Sequence, residues 1–187
     1  MAVAPGWRGS LFPVLSFFVT QDILQPLLAA VTVLTLLIEA VRLRYKPVQR
    51  LVSGLVAVKR RESRGISSST YLLLGTLAAF ILFPAPIAAA GVLFIAVADQ
   101  AASMVGERWG RHRLGRKSLE GSLAFLGVAL VVSMILLGAG AGPGLAVLVL
   151  GALVAAVTEL LPVPIGDNLV VPLAAGSTMT FVSWQMV

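Results

Sequence analysis

Residues 66–98 read ISSSTYLLLGTLAAFILFPAPIAAAGVLFIAVA, an uncharged stretch that decides the fold class. It is broken by the prolines at 84 and 86. An α-helix needs about 20 predominantly apolar residues to cross a bilayer. The stretch therefore predicts two short membrane spans, near 68–83 and 86–99, that turn back at the PAP sequence.

Composition extends this prediction to the whole chain, since 58% of its 187 residues are hydrophobic and 12% are charged. These values are typical of a polytopic membrane protein. Further apolar runs predict spans near 23–41, 119–138, 144–161 and 168–184, and LFPVLSFFV at 11–19 is short for a span. We expect an all-α, transmembrane bundle of six to seven short helices that forms a single domain over residues 1–187. The absence of cysteine excludes disulfides and cysteine-ligated metals.

The net charge of +6 is concentrated in two loops. Residues 42–64 and 107–117 contain 13 of the 14 lysines and arginines. Cytoplasmic loops of membrane proteins carry such an excess, so both loops are predicted to be cytoplasmic and nucleic acid is not the expected partner. Residues 47–61 have apolar residues at near-helical spacing between cations, which predicts an amphipathic helix along the membrane surface.

Seven of the eight acidic residues fall at or near predicted cytoplasmic helix ends: Glu39, Glu62, Asp99, Glu107, Glu120, Glu159 and Asp167. We interpret Glu39 and Glu107 as solvated, since arginines lie within reach. Asp99 instead ends the apolar run GVLFIAVAD and is followed by small residues. Asp167 lies in LPVPIGDNLVVPL, where prolines and a glycine interrupt an apolar segment.

Broken backbone at membrane depth is tolerated where it lines a polar cavity. Asp99 and Asp167, with Asn168 and with Glu120 or Glu159, would form an oxygen-rich site suited to Mg²⁺. The sequence therefore predicts a magnesium site at the cytoplasmic face.

The basic segment beside Asp99 suits a polyphosphate, because arginine offers forked donors and lysine a point charge. Its cations are Arg108, Arg111, Arg113, Arg116 and Lys117. Ser118 is placed to cap the next helix, whose N–H groups would face an anion. The segment contains no P-loop motif. The alternative is a basic loop that only sets membrane topology.

Three stretches resemble the signatures of the polyprenol kinase family, which includes dolichol kinase, phytol kinase and CTP-dependent diacylglycerol kinases. They are RRESRGISSSTYLLLG at 60–75, DQAASMVGERWGRHRLGRKSLEGSLA at 99–124 and ALVAAVTELLPVPIGDNLVVPLAAG at 152–176. The three occur in the family's order. The family's R-K-x-x-H-like motif near the first helix is missing, since this chain has WRGSLFPV at 7–14.

The resemblance implies a membrane enzyme that transfers the γ-phosphoryl group of a nucleoside triphosphate, often CTP, to a lipid alcohol. Asp99, Asp167, Asn168 and Glu120 would hold Mg²⁺, and Lys117, Ser118, Glu120, Gly121 and the arginines would bind the nucleotide. Arg61 and Glu62 would complete the cytoplasmic mouth. Glu159 is expected to act either as a base or behind the residues that touch substrate, and His112, the only histidine, is expected to be solvated.

Two alternatives remain at this stage. Phosphatidate cytidylyltransferases have a similar Gly-rich stretch, but their closing signature is absent from this chain. A small transporter could use the broken GDNLVVP segment as a gate, yet its charges would then be expected across the membrane rather than at one face. Phytol, longer polyprenols and diacylglycerol are equally compatible acceptors, and CTP and ATP are equally compatible donors.

Overall fold

A computed structural model describes residues 21–44, 67–162 and 166–186 of the chain. These residues are mostly helical, as predicted. In order, they form α1 (Gln21–Arg44), α2 (Ser68–Leu82), α3 (Ala85–Trp109), β1 (Arg113–Leu114), β2 (Lys117–Ser118), α4 (Leu119–Gly138), α5 (Leu145–Leu160) and α6 (Asp167–Gln185). The segments 11–19 and 47–61, with Arg61 and Glu62, lie outside the described residues.

The ends of α2 and α3 follow from local sequence. The Ser67 hydroxyl accepts a hydrogen bond from the Thr70 backbone N–H, which caps the start of α2. Helix α2 ends at Leu82, and α3 begins directly after Pro84, with Pro86 in its first turn. Proline is tolerated in a first helical turn, where its missing N–H has no intrahelical partner. The predicted turn at PAP is confirmed.

Helix α3 does not end at Asp99, so the helix end predicted there is wrong. Its first part, Ala85–Leu93, passes through a π-helical turn at Phe94–Ala98 and continues as Asp99–Trp109. Single π turns inside α-helices are rare and frequently occur at functional sites. Asp99 lies inside this continuous helix of 25 residues, directly after the π-helical turn.

A small hairpin separates α3 from α4 and adds a two-stranded sheet to the predicted all-α fold. Its antiparallel strands pair Arg113 with Ser118 and Leu114 with Lys117. Gly115 at the turn has φ of 64°, in the left-handed region that favours glycine. The pairing brings Lys117 and Ser118 to the start of α4.

The core is formed chiefly by α3, α4, α5 and α6, which contribute the buried side chains of Phe94, Phe125, Leu148 and Met179. A smaller cluster joins α1 to α2 and α3 through Leu28, Phe80 and Val92. Two helices, Ala85–Trp109 and Leu119–Gly138, are long and apolar enough to cross a membrane. Among the described residues, Pro26–Val41, α2 and α5 are apolar but shorter.

Candidate active site

A cleft of about 440 Å³ lies where the hairpin meets the helix ends. Its acidic residues are Asp99, Glu107, Glu159 and Asp167, and its basic residues are Arg113, Arg116 and Lys117. Asp99 and Asp167 are separated by two helices along the chain, and they line the same cleft. This is the juxtaposition expected if α4 and α5 form a second hairpin of helices.

Three helices begin at this cleft. Ser68 belongs to the first turn of α2, Ser118 caps α4, and Asp167 is the first residue of α6. A helix N-terminus presents backbone N–H groups and the positive end of the helix dipole, which favours anions. Despite its four carboxylates, the cleft therefore has both side-chain and backbone features that suit a bound anion.

Lys117 lies between two carboxylates. Its Nζ is 2.6 Å from Glu159 Oε1 and 2.7 Å from Asp167 Oδ2. Burial opposes the charged ammonium, but the hydrogen bonds and charges of Asp167 and Glu159 outweigh it and raise the pKa of Lys117 above 10.5. Lys117 is therefore a permanent cation at physiological pH.

Glu159 is a buried carboxylate in the last turn of α5, with 4% of its side chain exposed. Its Oε1 accepts from Lys117, and its Oε2 accepts from the Ser122 hydroxyl at 2.5 Å. Ser122 lies one turn into α4 and is itself buried. A buried charge is costly unless it is paired and hydrogen-bonded. The hydrogen bonds from Ser122 and Lys117 therefore offset the cost of burying Glu159.

Ser118 caps α4 as predicted, since its hydroxyl accepts from the Gly121 backbone N–H at 3.1 Å. Two glycines allow α3 and α4 to approach closely at this point. A Cβ on Gly121 would lie 2.8 Å from the Ala102 carbonyl oxygen, and a Cβ on Gly106 would lie 2.9 Å from Ser118 Oγ. Both glycines line the cleft, so their missing side chains help to shape it.

Glu120 was predicted to bind metal or nucleotide, but its carboxylate faces the hairpin instead. Glu120 Oε1 is 2.8 Å from His112 Nδ1, and the His112 backbone N–H donates to both carboxylate oxygens. Glu120 does not line the cleft. The His112 side chain is 74% exposed, in agreement with its predicted solvation.

Asn168, a predicted metal ligand, is also used elsewhere. Its Nδ2 donates to the Ser68 carbonyl oxygen at 3.0 Å, and it does not line the cleft. The backbone carbonyl oxygen of Asn168 packs against Gly75, where an added Cβ would overlap it. Asn168 therefore ties the beginning of α6 to the beginning of α2, next to the cleft.

The five cations of the basic segment do not act as one group. Lys117, Arg113 and Arg116 line the cleft, whereas Arg108 and Arg111 are exposed and do not. The predicted nucleotide contacts of Arg108 and Arg111 are therefore not supported by the described geometry.

The predicted solvation of Glu39 is wrong, because Glu39 is 7% exposed and accepts from the Ser67 backbone N–H at 2.8 Å. This bond fastens α1 to the start of α2. Glu107, by contrast, is exposed as predicted, although it lies at the cleft.

The cleft contains two of the carboxylates that were predicted to bind Mg²⁺, Asp99 and Asp167. Among the described residues, no group of three or more acidic or histidine side chains is arranged to hold a metal ion. Mg²⁺ is commonly held by one or two carboxylates, substrate phosphates and waters. Asp99 and Asp167 both line the cleft, with Asp167 Oδ2 held by Lys117, whereas Asn168 and Glu120 do not line it.

Sequence reasoning assigned no role to Ser68, Ser103 or Ser122. Ser68 and Ser103 line the cleft, and Ser122 contacts Glu159. Ser122 belongs to the KSLEGS stretch at 117–122, so the motif itself was the available signal. Serine is too common at helix starts for Ser68 to be singled out from sequence.

Comparisons with known proteins give a relative without a functional description. No family model matches the chain. An uncharacterized protein of Rickettsia prowazekii (strain Madrid E) is 25% identical to it over 172 residues, which cover 88% of this chain and 84% of the relative. No solved structure matches it. The similarity extends over most of both chains.

Proposed function

We propose that this protein is a multi-pass membrane lipid kinase of the polyprenol kinase type. It transfers the γ-phosphoryl group of a nucleoside triphosphate, often CTP in the family that the chain resembles, to the hydroxyl group of an isoprenoid alcohol or diacylglycerol. The observation that carries the proposal is the cleft, which combines Lys117, Arg113 and Arg116 with Asp99 and Asp167. Phosphoryl transfer requires mainly this combination of positioning and charge neutralisation.

A membrane location is supported by the outer surface of the helices. Only 39% of the most apolar part of α4 is buried inside the protein. Large apolar side chains such as Leu123, Val131 and Ile135 are more than half exposed along it. Large apolar surfaces are unusual on soluble monomers, and a surrounding bilayer would cover them. The two basic loops then favour a cytoplasmic position for the cleft.

The chain's own residues suit the triphosphate. Arg113 and Arg116 would donate forked hydrogen bonds to phosphate oxygens, while Lys117 would supply a point charge at the helix starts. The N-terminus of α4, capped by Ser118, adds backbone donors nearby. Water would be displaced from these groups as the nucleotide enters.

Asp99 and Asp167 would hold a Mg²⁺ ion that arrives with the nucleotide. When bound, Mg²⁺ would neutralise charge on the β- and γ-phosphate oxygens. The acceptor hydroxyl would approach from the bilayer surface, because its hydrocarbon tail remains in the membrane.

The test is a matrix of donors and acceptors with the purified full chain. γ-labelled CTP and ATP are each incubated with phytol, a longer polyprenol and diacylglycerol in the presence of Mg²⁺, with Asp99→Asn as the inactive control. Label in the lipid and release of the nucleoside diphosphate support the kinase. Release of pyrophosphate with a nucleotide-linked lipid would favour the cytidylyltransferase alternative, and transfer to none of the acceptors would refute the proposed reaction.

A further inference from the structure

A chain of hydrogen bonds runs from the buried Ser122 through Glu159 to Lys117, at the wall of the cleft. The Ser122 hydroxyl donates to Glu159 Oε2 at 2.5 Å, and the Lys117 ammonium donates to Glu159 Oε1 at 2.6 Å. Ser122 is 7% exposed and Glu159 is 3% exposed. Both oxygens of the carboxylate are therefore engaged by protein groups, and little of the Glu159 side chain is exposed.

This geometry separates two roles for Glu159. A general base must come within hydrogen-bond reach of the proton that it removes. Here each carboxylate oxygen already accepts a short hydrogen bond from another side chain. A carboxylate held in this way is suited to orienting its donors instead.

The two donors belong to one rigid unit. Lys117 immediately precedes the N-cap of α4, and Ser122 lies one turn inside that helix. Glu159 comes from the end of α5, so it joins the hairpin and α4 to a second helix. A lysine side chain has four flexible carbons, and its ordering at a phosphate would otherwise cost conformational entropy.

The ammonium group has three N–H donors. Among the described residues, Glu159 and Asp167 accept from Lys117, at 2.6 and 2.7 Å. One donor is then left for an oxygen of a bound phosphate. Fixing two of the three donors restricts the direction of the third.

We propose that Ser122 and Glu159 are positioning residues that hold Lys117 in the orientation in which it binds a phosphate of the nucleotide, and that Glu159 is not the general base. This inference rests on the proposed phosphotransferase function. It adds Ser122 to the site and gives Glu159 a single role.

The first measurement does not depend on activity. The rate at which an amine-reactive reagent labels Lys117 is followed by mass spectrometry in the wild-type chain and in Ser122→Ala, Ser122→Thr and Glu159→Gln. We expect several-fold faster labelling in Ser122→Ala and Glu159→Gln, and a rate near that of the wild type in Ser122→Thr, which retains a hydroxyl.

Ser133→Ala is the matched control. Ser133 is a fully buried serine on the same helix, and its hydroxyl donates to the Ala129 carbonyl of its own helix. In Ser133→Ala, Lys117 should be labelled at the wild-type rate. Thermal unfolding establishes that Ser122→Ala and Glu159→Gln are folded. If Lys117 is labelled at the wild-type rate in both folded variants, the positioning role is refuted.

The second measurement is the pH dependence of kcat and of the nucleotide KM. Loss of one hydrogen bond to a charged group should lower kcat/KM of Ser122→Ala about tenfold, mainly through the nucleotide KM. Glu159→Gln should lower it by a similar factor and retain the wild-type pH profile. Glu159→Gln could instead lower kcat by 10²- to 10⁴-fold and remove the limb of the pH profile that reports deprotonation of the general base. That result would identify Glu159 as the base and overturn the proposal.

The two proposals fail separately. If Lys117 labelling changes as expected but the wild-type chain transfers phosphate from neither nucleotide, the kinase assignment fails and the hydrogen-bonded positioning of Lys117 stands. If the wild-type chain is active and the two variants match it in labelling and kinetics, the kinase assignment stands and the positioning role fails.

Discussion

Replacing Lys117 should damage stability and nucleotide binding by separable mechanisms. Lys117→Met retains most of the length of the side chain but removes the charge between Glu159 and Asp167. Removing one partner of a buried pair costs about 3–5 kcal/mol, because the remaining charge is buried without compensation. An exposed pair contributes only about 0–1 kcal/mol.

The exposed fractions place this cluster between those limits. The Glu159 side chain is 4% exposed, whereas Lys117 and Asp167 are 23% and 26% exposed. Solvent therefore screens the Asp167 contact more than the Glu159 contact. We expect a loss of about 2–4 kcal/mol in the free energy of unfolding, or roughly 5–15 °C in Tm.

A second substitution tests the stated cause. The double variant Lys117→Met/Glu159→Gln also removes the buried Glu159 charge that Lys117→Met leaves without a partner. About 1–3 kcal/mol of the lost stability should therefore return. Nucleotide affinity should not return, because the ammonium is still missing. Arg108→Met is the control for stability, since Arg108 is exposed and has no ion pair with the described acidic residues.

The assays are thermal unfolding and nucleotide binding of the purified protein in detergent. Lys117→Met should raise the nucleotide Kd by roughly 10- to 100-fold, as expected for a hydrogen bond between charged groups. An unchanged Tm in Lys117→Met, or no recovery in the double variant, would refute the buried-charge reasoning. An unchanged Kd would show that Lys117 does not bind the nucleotide.

Three further predictions concern the same region. Asp99→Asn should stay folded yet lose turnover, and the double variant Asp99→Ala/Asp167→Ala should be scarcely less active than either single alanine variant, as expected for groups that act on one ion; additive losses in kcat/KM would contradict a shared ion. Gly121→Ala should lower stability by about 1–3 kcal/mol through overpacking, since its Cβ would lie 2.8 Å from a backbone oxygen of α3, whereas Gly127→Ala, with nothing within 4 Å, should be neutral or stabilising in thermal unfolding. Because the pKa of Lys117 is raised, its contribution to stability is complete below about pH 10.4 and disappears as the pH rises through the folded-state pKa; the stability difference between wild type and Lys117→Met should therefore shrink above that pH, and a constant difference would argue against the ion pairs.

Much of the local architecture could be predicted because its causes are local. Apolar runs, Pro84 and Pro86 at the turn, and Ser118 before α4 all act on residues a few positions away. The continuation of α3 past Asp99 was missed, because a change from apolar to polar residues marks an interface and not the end of a helix. The sequence likewise indicated which residues are polar near the cleft, but not which of them meet.

The tertiary structure decided those pairings. Lys117 and Ser122 meet Glu159 from 42 and 37 residues away along the chain, and Lys117 also meets Asp167. Such pairings depend on how each helix is rotated about its axis. Helix α4 is apolar on every side, so the buried Phe125 and the exposed Leu123 do not differ in a way that reveals the rotation.

Close backbone approaches accompany these pairings. Gly121 against α3, and Gly75 against the beginning of α6, allow contacts that any side chain would prevent. The composition and order of the apolar segments were therefore enough to predict that this chain forms apolar helices with most of its charges at or near their ends. Only the packing of those helices decided that Glu120 turns to His112, that Glu39 is buried, and that Lys117 lies between Glu159 and Asp167, because these contacts join residues whose separation along the chain carries no local signal.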